Sequence, residues 1–169
     1  MNFLIKDQLF KVLTVILLVV LSLETIAQEP PPRPIEVTLM QNLGFGAFAY
    51  GTGGGSVSVS PAGLRSKLNS IILLDLGISW SNALFRLTGN PGTLISLMSI
   101  PDVSLDRSGG GGTMVLHIGE TDPVAPFVIT TDPPAYMELK IGGTLTVSDS
   151  GSNPPGNYGG TFEITFIQE

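Results

Sequence analysis

A two-residue alternation of apolar and polar side chains, repeated in short runs, constrains the fold of this chain more than any other feature. Ile35, Val37 and Leu39 alternate with polar neighbours, and similar runs occupy residues 56–60, 85–88, 114–118, 137–141, 144–147 and 161–166. Successive side chains of a strand point to opposite faces, so each run predicts a strand with one solvated face. Two further runs, residues 71–76 and 94–100, are apolar on both faces and predict central strands.

Glycine and proline mark the boundaries between these runs, and the chain holds 21 Gly and 13 Pro. They cluster at residues 51–55, 89–92, 109–112, 132–134 and 151–156, where we expect turns. The pattern predicts an all-β fold: an antiparallel immunoglobulin-like or pilin-like β-sandwich of about 8–10 short strands. A barrel or a jelly roll is the alternative. The side chains expected to point inward are Phe45, Phe85, Leu87, Leu116, Leu145, Tyr158, Phe162 and Ile164.

The N-terminal sequence predicts export. Lys6 and Lys11 precede an apolar run over residues 12–23, and small residues follow as far as Ala27. This order is typical of a helical signal peptide, here residues 1–27, and the run is too short for a stable membrane span. We therefore expect a Pro-rich linker at 28–34 and a single domain at 35–169. The expected location is the periplasm, cell surface or surroundings of a bacterium.

Charge and composition exclude several classes of function. The net charge is −6, and the basic residues after the signal are scattered, so the sequence argues against a nucleic-acid partner. The chain has no cysteine, which removes thiol nucleophiles, thiolate metal sites and acylation of a cysteine. Its one histidine is His117, so a Ser-His-Asp set would have to include that residue. We predict that the protein is not an enzyme.

Polar candidates for a site are few, and each has an ordinary structural explanation. The glycine-rich stretch 51–56 does not match a phosphate-binding loop. Two carboxylate pairs, Asp102 with Asp106 and Glu120 with Asp122, lie in segments that resemble turns, although the first pair could contribute to a calcium site. His117 is expected on the solvated face of its strand. No catalytic, cofactor-binding or metal-binding residue is assigned, and no cofactor is expected.

Aromatic residues offer the one alternative binding chemistry. Trp80, Tyr50, Tyr136 and Tyr158 could form a platform on which a sugar ring stacks. Packing in the core is at least as good an explanation for each of them. A secreted carbohydrate-binding module is therefore the alternative function.

Six short motifs occur in an order that resembles the secreted bacterial family known as domain of unknown function 4402. They are NLGFG from residue 42, SVSVSPAGLRS from 56, FRLTGNPG from 85, GTM from 112, IGGTLTV from 141 and GNYGGTFEIT from 156. The resemblance covers nearly all of the chain after the linker. It implies a β-sandwich similar in pattern to fimbrial subunits and spore-coat domains, and it brings no catalytic residue.

The two ends of the domain suggest how such a protein could assemble. In strand addition, an extended segment of one chain completes the open sheet edge of another. The N-terminal run 35–39 and the C-terminal run 156–166 both have the required alternation. The alternative is that both pair within their own chain. We expect a structural or fimbria-like adhesion subunit of the cell surface, with self-association, other envelope proteins or a glycan as possible partners.

Overall fold

A computed structural model describes residues 33–149 and 151–169, and residues 33–169 form one compact unit. The predicted signal peptide and most of the predicted linker lie outside the described residues. Within them the chain forms strands and no helix. The strands are β1 (Glu36–Gln41), β2 (Gly44–Phe45), β3 (Phe48–Val59), β4 (Arg65–Leu73), β5 (Trp80–Ser81), β6 (Ala83–Thr88), β7 (Leu94–Leu97), β8 (Val103–Arg107), β9 (Thr113–Asp122), β10 (Phe127–Val128), β11 (Met137–Val147), β12 (Tyr158–Gly159) and β13 (Phe166–Gln168).

The strands form one large sheet and two small ones, and all pairings are antiparallel. The large sheet runs β1-β6-β11-β9-β8-β12, while β3 and β4 branch from β11. The first half of β11 pairs with β6 and the second half with β3, and β9 follows its other edge. The smaller sheets are β10-β7-β13 and β2-β5. The prediction of an all-β, antiparallel fold is confirmed.

Alternation sets which side chains form the core. On β9, Met114, Leu116 and Ile118 are buried, whereas Val115 and His117 are exposed. The side chains predicted to point inward fall into two groups. Phe45, Leu87, Leu116 and Leu145 are buried, and Phe85, Tyr158, Phe162 and Ile164 are half-buried against the core. Each buried aliphatic side chain of this kind contributes roughly 1.5–3 kcal/mol.

The predicted strands at 137–141 and 144–147 are one continuous strand, β11. The register shifts between Ile141 and Gly143, which is a bulge opposite β9. Glycine is required at this point because a Cβ on Gly142 would lie 2.5 Å from the carbonyl oxygen of Val59. The alternation is interrupted there, but the strand continues through the bulge.

The glycine run 51–55 does not separate two strands, as the sequence predicted, but lies inside β3. The pairing with β4 shifts register between Tyr50 and Gly55. Gly54 has a φ of +61°, and a side chain on it would collide with the carbonyl oxygen of Val147. The glycines therefore bend a long strand around the end of β11.

The apolar run 71–76 was predicted to form a central strand, and this prediction is wrong. Its residues belong to the end of β4 and the segment that follows, and β4 pairs only with β3. Ile71 is buried, but Ile72 and Leu76 are more than half exposed. The second such run is correctly predicted as central for residues 94–97, because β7 lies between β10 and β13.

The strand predicted at 161–166 is also largely wrong, because β13 begins only at Phe166. Burial still alternates over this stretch, with Phe162 and Ile164 half-buried against the core. Alternation reports which side chains face the core, but it does not report whether the backbone has a ladder partner. Residues 161–164 have the first property and lack the second.

The N-terminal strand is more exposed than its pattern predicted. β1 pairs with β6 along one edge only, and all six of its side chains are exposed. Ile35, just before it, is half-buried and packs against the core. The backbone N–H of Ile35 donates to the Gln168 side chain at 3.1 Å. Both termini of the domain thus pair within their own chain.

Candidate functional site

An apolar groove opens between the sheets. Its volume is about 610 Å³, and its two walls are residues 43–50 and 154–162. The floor is the inner face of the large sheet, formed by Leu105, Met114, Leu116 and Leu145. Leu76 and Ile78 lie at its rim with exposed side chains. None of the residues that line the groove carries a charge.

The first wall presents a strand edge without a ladder partner. Residues 48–50 of β3 pair with β4 on one side, whereas β11 pairs with β3 only from Gly55 onward. The N–H of Leu74 donates to the carbonyl oxygen of Ala47, so that residue faces β4. Because neighbouring residues of a strand direct their backbone groups to opposite sides, those of Phe48 and Tyr50 point away from β4.

The second wall is an extended segment that is paired only at its ends. Tyr158 and Gly159 pair with β8, and the carbonyl oxygen of Thr165 accepts from Met98 at 3.0 Å. Between them, residues 160–164 make no backbone hydrogen bond to another described segment. The groove is therefore bordered by Phe48 and Tyr50 on one side and by Gly160 and Phe162 on the other, and these four residues make no backbone hydrogen bond across it to another described residue.

Tyr50 places a polar group in this apolar environment. Its hydroxyl is buried and has no hydrogen-bond partner among the described residues. Burial raises the pKa of Tyr50, and the charges of Tyr158 and Asp149 raise it further. The Tyr158 hydroxyl is satisfied, since it donates to the carbonyl oxygen of Pro154 at 2.6 Å. The groove thus contains one phenol able to donate to an incoming group.

A turn at residues 148–153 fixes the start of the second wall. Asn153 is buried, its side-chain amide donates to the carbonyl oxygens of Thr113 and Ser152, and its side-chain oxygen accepts from Ser148. The Asp149 carboxylate accepts from the backbone N–H groups of Gly151 and Ser152, both at 3.0 Å. These bonds, those from Ser152 first, hold the pKa of Asp149 below its usual value. Sequence analysis did not single out Asn153.

The four aromatic residues considered for a sugar platform do not lie together. Tyr50 and Tyr158 line the groove. Trp80, which is half-exposed, borders a separate cleft of about 410 Å³, with the Arg65 guanidinium 5.3 Å from its ring centre. Tyr136 stacks instead with the guanidinium of Arg86 at 4.0 Å. Trp80 and Tyr136 are therefore similarly exposed, and each has an arginine guanidinium over its ring.

The polar candidates form one pair that sequence analysis missed. Nδ1 of His117 lies 2.7 Å from the Asp102 carboxylate, and both side chains are exposed. Asp102 and His117 are the residues next to Val103 and Leu116, which pair in the β8–β9 hairpin. The strand register therefore brings the two side chains opposite each other. Glu120 and Asp122 lie within β9, not in a turn as predicted.

No cluster of three or more His, Asp or Glu side chains able to hold a metal ion occurs in residues 33–149 and 151–169. Asp102 is engaged with His117, and Asp106 lies opposite Thr113 in the β8–β9 ladder. The carboxylate pair suggested for calcium therefore has no third ligand of this type within the described part of the chain.

Fold and groove together define the class of this molecule: an all-β, sandwich-like domain with an apolar groove beside its C-terminal segment. The family model described as Domain of unknown function (DUF4402) matches residues 35–167. The chain belongs to this family, as the six motifs indicated. Searches among curated proteins and among solved structures found no match. In the described part of the chain, no helix has the length and hydropathy needed to cross a membrane.

Proposed function

We propose that this chain is an exported, non-catalytic structural or fimbria-like adhesion subunit of a bacterial cell surface that associates by strand addition. The N-terminal sequence, with its basic residues and apolar run, supports export. The observation that carries the proposal is the groove between two backbone edges that lack ladder partners. The partner is a further copy of this chain or another envelope protein.

An extended peptide fits the chemistry of the groove better than other occupants. It would give hydrogen-bond partners to Phe48 and Tyr50 on one side and to Gly160 and Phe162 on the other, as a strand does when it joins a sheet edge. An aliphatic ligand would fill the volume but leave those backbone groups unpaired. Main-chain groups that are buried without partners cost about 1–3 kcal/mol each, so the peptide is favoured.

The lining also specifies the side chains of the occupant. Because no charged residue lines the groove, an inward-facing charge would be buried without a counter-ion, which is strongly unfavourable. Alternate residues of the entering segment should therefore be apolar, and the intervening residues, which face solvent, can be polar. This is the alternation of a half-buried strand.

Hydrogen exchange tests this proposal without any substitution. We expect the amides of Phe48, Tyr50, Gly160 and Phe162 to exchange quickly in dilute protein and to become protected as concentration rises. The amide of Leu139, inside the large sheet, is the control, and its protection should not depend on concentration. Association that leaves the groove amides unprotected, or protein that stays monomeric at high concentration, would contradict the proposal.

A carbohydrate-binding role is the second candidate, and the Trp80 cleft is the observation in its favour. The indole is half-exposed, and Arg65 and Asp75 border the same cleft, so an apolar ring face lies beside groups that can bond hydroxyls. On a glycan array, binding should be lost in Trp80→Ala and kept in Tyr136→Ala. An array without a hit, or hits that Trp80→Ala does not change, would remove this candidate.

A further inference from the structure

We infer, on the basis of the proposed function, that residues 35–40 of a second copy of this chain enter the groove and pair with both of its backbone edges. The copies would thereby exchange an N-terminal arm, and the groove would gain the strand that its layer lacks.

β1 gains little burial where it lies in its own chain. Val37 is 37% exposed, Leu39 52% and Met40 45%, although β1 is paired with β6. One edge and both faces of the strand remain accessible. In the groove the same segment would have a ladder partner on each side and an apolar floor under one face.

The position of β1 at the end of the compact unit allows it to leave. The unit begins at Arg33, so β1 is connected to the rest of the domain only through Asn42 and Leu43. A terminal strand can be exchanged between copies without threading a loop. The other exposed apolar segment, residues 74–80, is joined to strands at both ends and cannot lie between two edges in the same way.

The side chains of this segment match the groove. Ile35, Val37 and Leu39 share one face and are uncharged, as is every residue that lines the groove. Glu36 and Thr38 lie on the opposite face, which would remain in solvent. Five residues of strand span about 17 Å at roughly 3.3 Å each, enough to lie along the wall from Tyr158 to Phe162.

The arm must come from a second copy because its own end is fixed beside β5 and β6. The Gln41 side chain donates to the carbonyl oxygen of Asn82 at 2.9 Å, and the Ser81 hydroxyl donates to that of Asn42 at 2.8 Å. Leu43, one residue further on, already lines the groove. A strand entering its own groove would have to reverse direction within Asn42–Leu43.

Exchange has a cost, which makes association dependent on concentration. The arm must give up its ladder with β6 and the contact between Ile35 and Gln168. It gains two ladders and a buried face in return. We therefore expect monomer in dilute solution and assembly as concentration rises.

Two adjacent substitutions on β1 test the donor. Leu39→Glu places a charge on the face that would enter the groove, whereas Met40→Glu places it on the opposite face; both side chains are about half exposed in the free chain. By light scattering on residues 28–169, Leu39→Glu should raise the concentration needed for association at least tenfold. Met40→Glu should change it less than twofold. Thermal unfolding should show both variants folded.

A second variant distinguishes the role of the donor strand from the role of the groove. Ala47→Trp, which introduces a large side chain at a residue lining the groove, is compared with Leu39→Glu. If Ala47→Trp prevents association and Leu39→Glu does not, the groove is used but β1 is not the donor, and this inference fails. If neither variant affects association, the proposed function fails with it.

Crosslinking gives a second measurement that tolerates a destabilised variant. The natural chain has no cysteine, so single cysteines react without background. A mixture of Leu39→Cys and Gly159→Cys chains should form a disulfide-linked heterodimer, since a side chain at Gly159 has open space and borders the groove. Leu39→Cys with Val124→Cys, a highly exposed position, is the control. Equal yields in the two mixtures would overturn the inference.

Discussion

At the scale of single residues, Asn153 shows how one polar side chain positions a wall of the groove. It is 1% exposed, the only buried polar or charged side chain among the described residues, and it binds backbone groups on both sides of the turn at 148–153. Pro154 and Pro155 follow directly and line the groove. The shape of the groove therefore depends on a side chain that does not itself line it.

We expect Asn153→Ala to lower the free energy of unfolding by about 1–3 kcal/mol, because the Ser148 N–H and the Thr113 carbonyl would lose their partner in a buried position. Urea denaturation measures the change. Asn157→Ala is the matched control, since its side chain is exposed and makes no hydrogen bond to the described residues. Equal stability of the two variants would show that Asn153 does not hold the turn.

Asp149 makes the stability of the same turn depend on pH. Its pKa is lowered by the hydrogen bonds from Ser152 and Gly151, so the folded state binds fewer protons than the unfolded state near the ordinary value of 3.8. This contribution is complete above that value and is lost as pH falls through the lowered pKa. The unfolding free energy of the natural chain should fall more steeply below about pH 4 than that of Asp149→Asn. Parallel pH profiles would contradict the assignment.

Sequence reasoning found the residues whose role follows from alternation and missed those whose role follows from register or from a turn. Leu87, Leu116 and Leu145 were predicted inward because a two-residue period fixes the face. The contact between His117 and Asp102 depends on the pairing of β8 with β9, which one sequence does not fix. Asn153 lies in a Pro-rich turn without periodicity, so no pattern marked it.

At the scale of elements, β11 organises the large sheet because three strands pair with it. Its two central glycines, Gly142 and Gly143, are buried where β6 gives way to β3 as a neighbour. Backbone segments approach each other closely at this junction. The IGGTLTV motif thus has a structural reason: its glycines permit the contact, and Leu145 and Val147 supply the core.

Gly142→Ala should destabilise the protein by roughly 1–3 kcal/mol or more, because the new methyl group would meet the Val59 carbonyl oxygen and Pro61. The control is Gly159→Ala, where a Cβ has no neighbour within 4 Å, and its effect should stay within about 0.5 kcal/mol. Thermal or urea unfolding compares the two. A cost at Gly142 no greater than at Gly159 would mean that the bulge adapts to a side chain.

Strand identity was predicted better than strand pairing, because alternation fixes which face a side chain lies on but not which strand the backbone pairs with. Residues 161–166 alternate as a strand should, and their apolar side chains do face the core. The ladder partner is missing for residues 161–164, because pairing depends on which segments the rest of the chain brings alongside. The prediction for residues 71–76 was wrong in the opposite way. An apolar run predicts a central strand, but β4 has a neighbouring strand on one side only.

At the scale of the whole molecule, the groove is the feature that sequence analysis could not locate. It is a gap between the 43–50 and 154–162 segments, and no residue pattern encodes a gap. The sequence did indicate that both ends of the domain have the apolar and polar alternation that strand addition requires. The structure adds an apolar groove beside the C-terminal segment, and it shows the N-terminal strand paired with β6 in the single chain.

The most direct test of the account is the molar mass in solution of residues 28–169, measured by light scattering across a range of concentrations. We predict a rise above the monomer mass that Ala47→Trp abolishes and that Val124→Trp, an exposed change away from the groove, leaves intact. Both variants should unfold at temperatures close to that of the natural chain. A natural chain that remains monomeric at every concentration, or an Ala47→Trp variant that associates equally well, would contradict the claim that the groove is completed by a second chain.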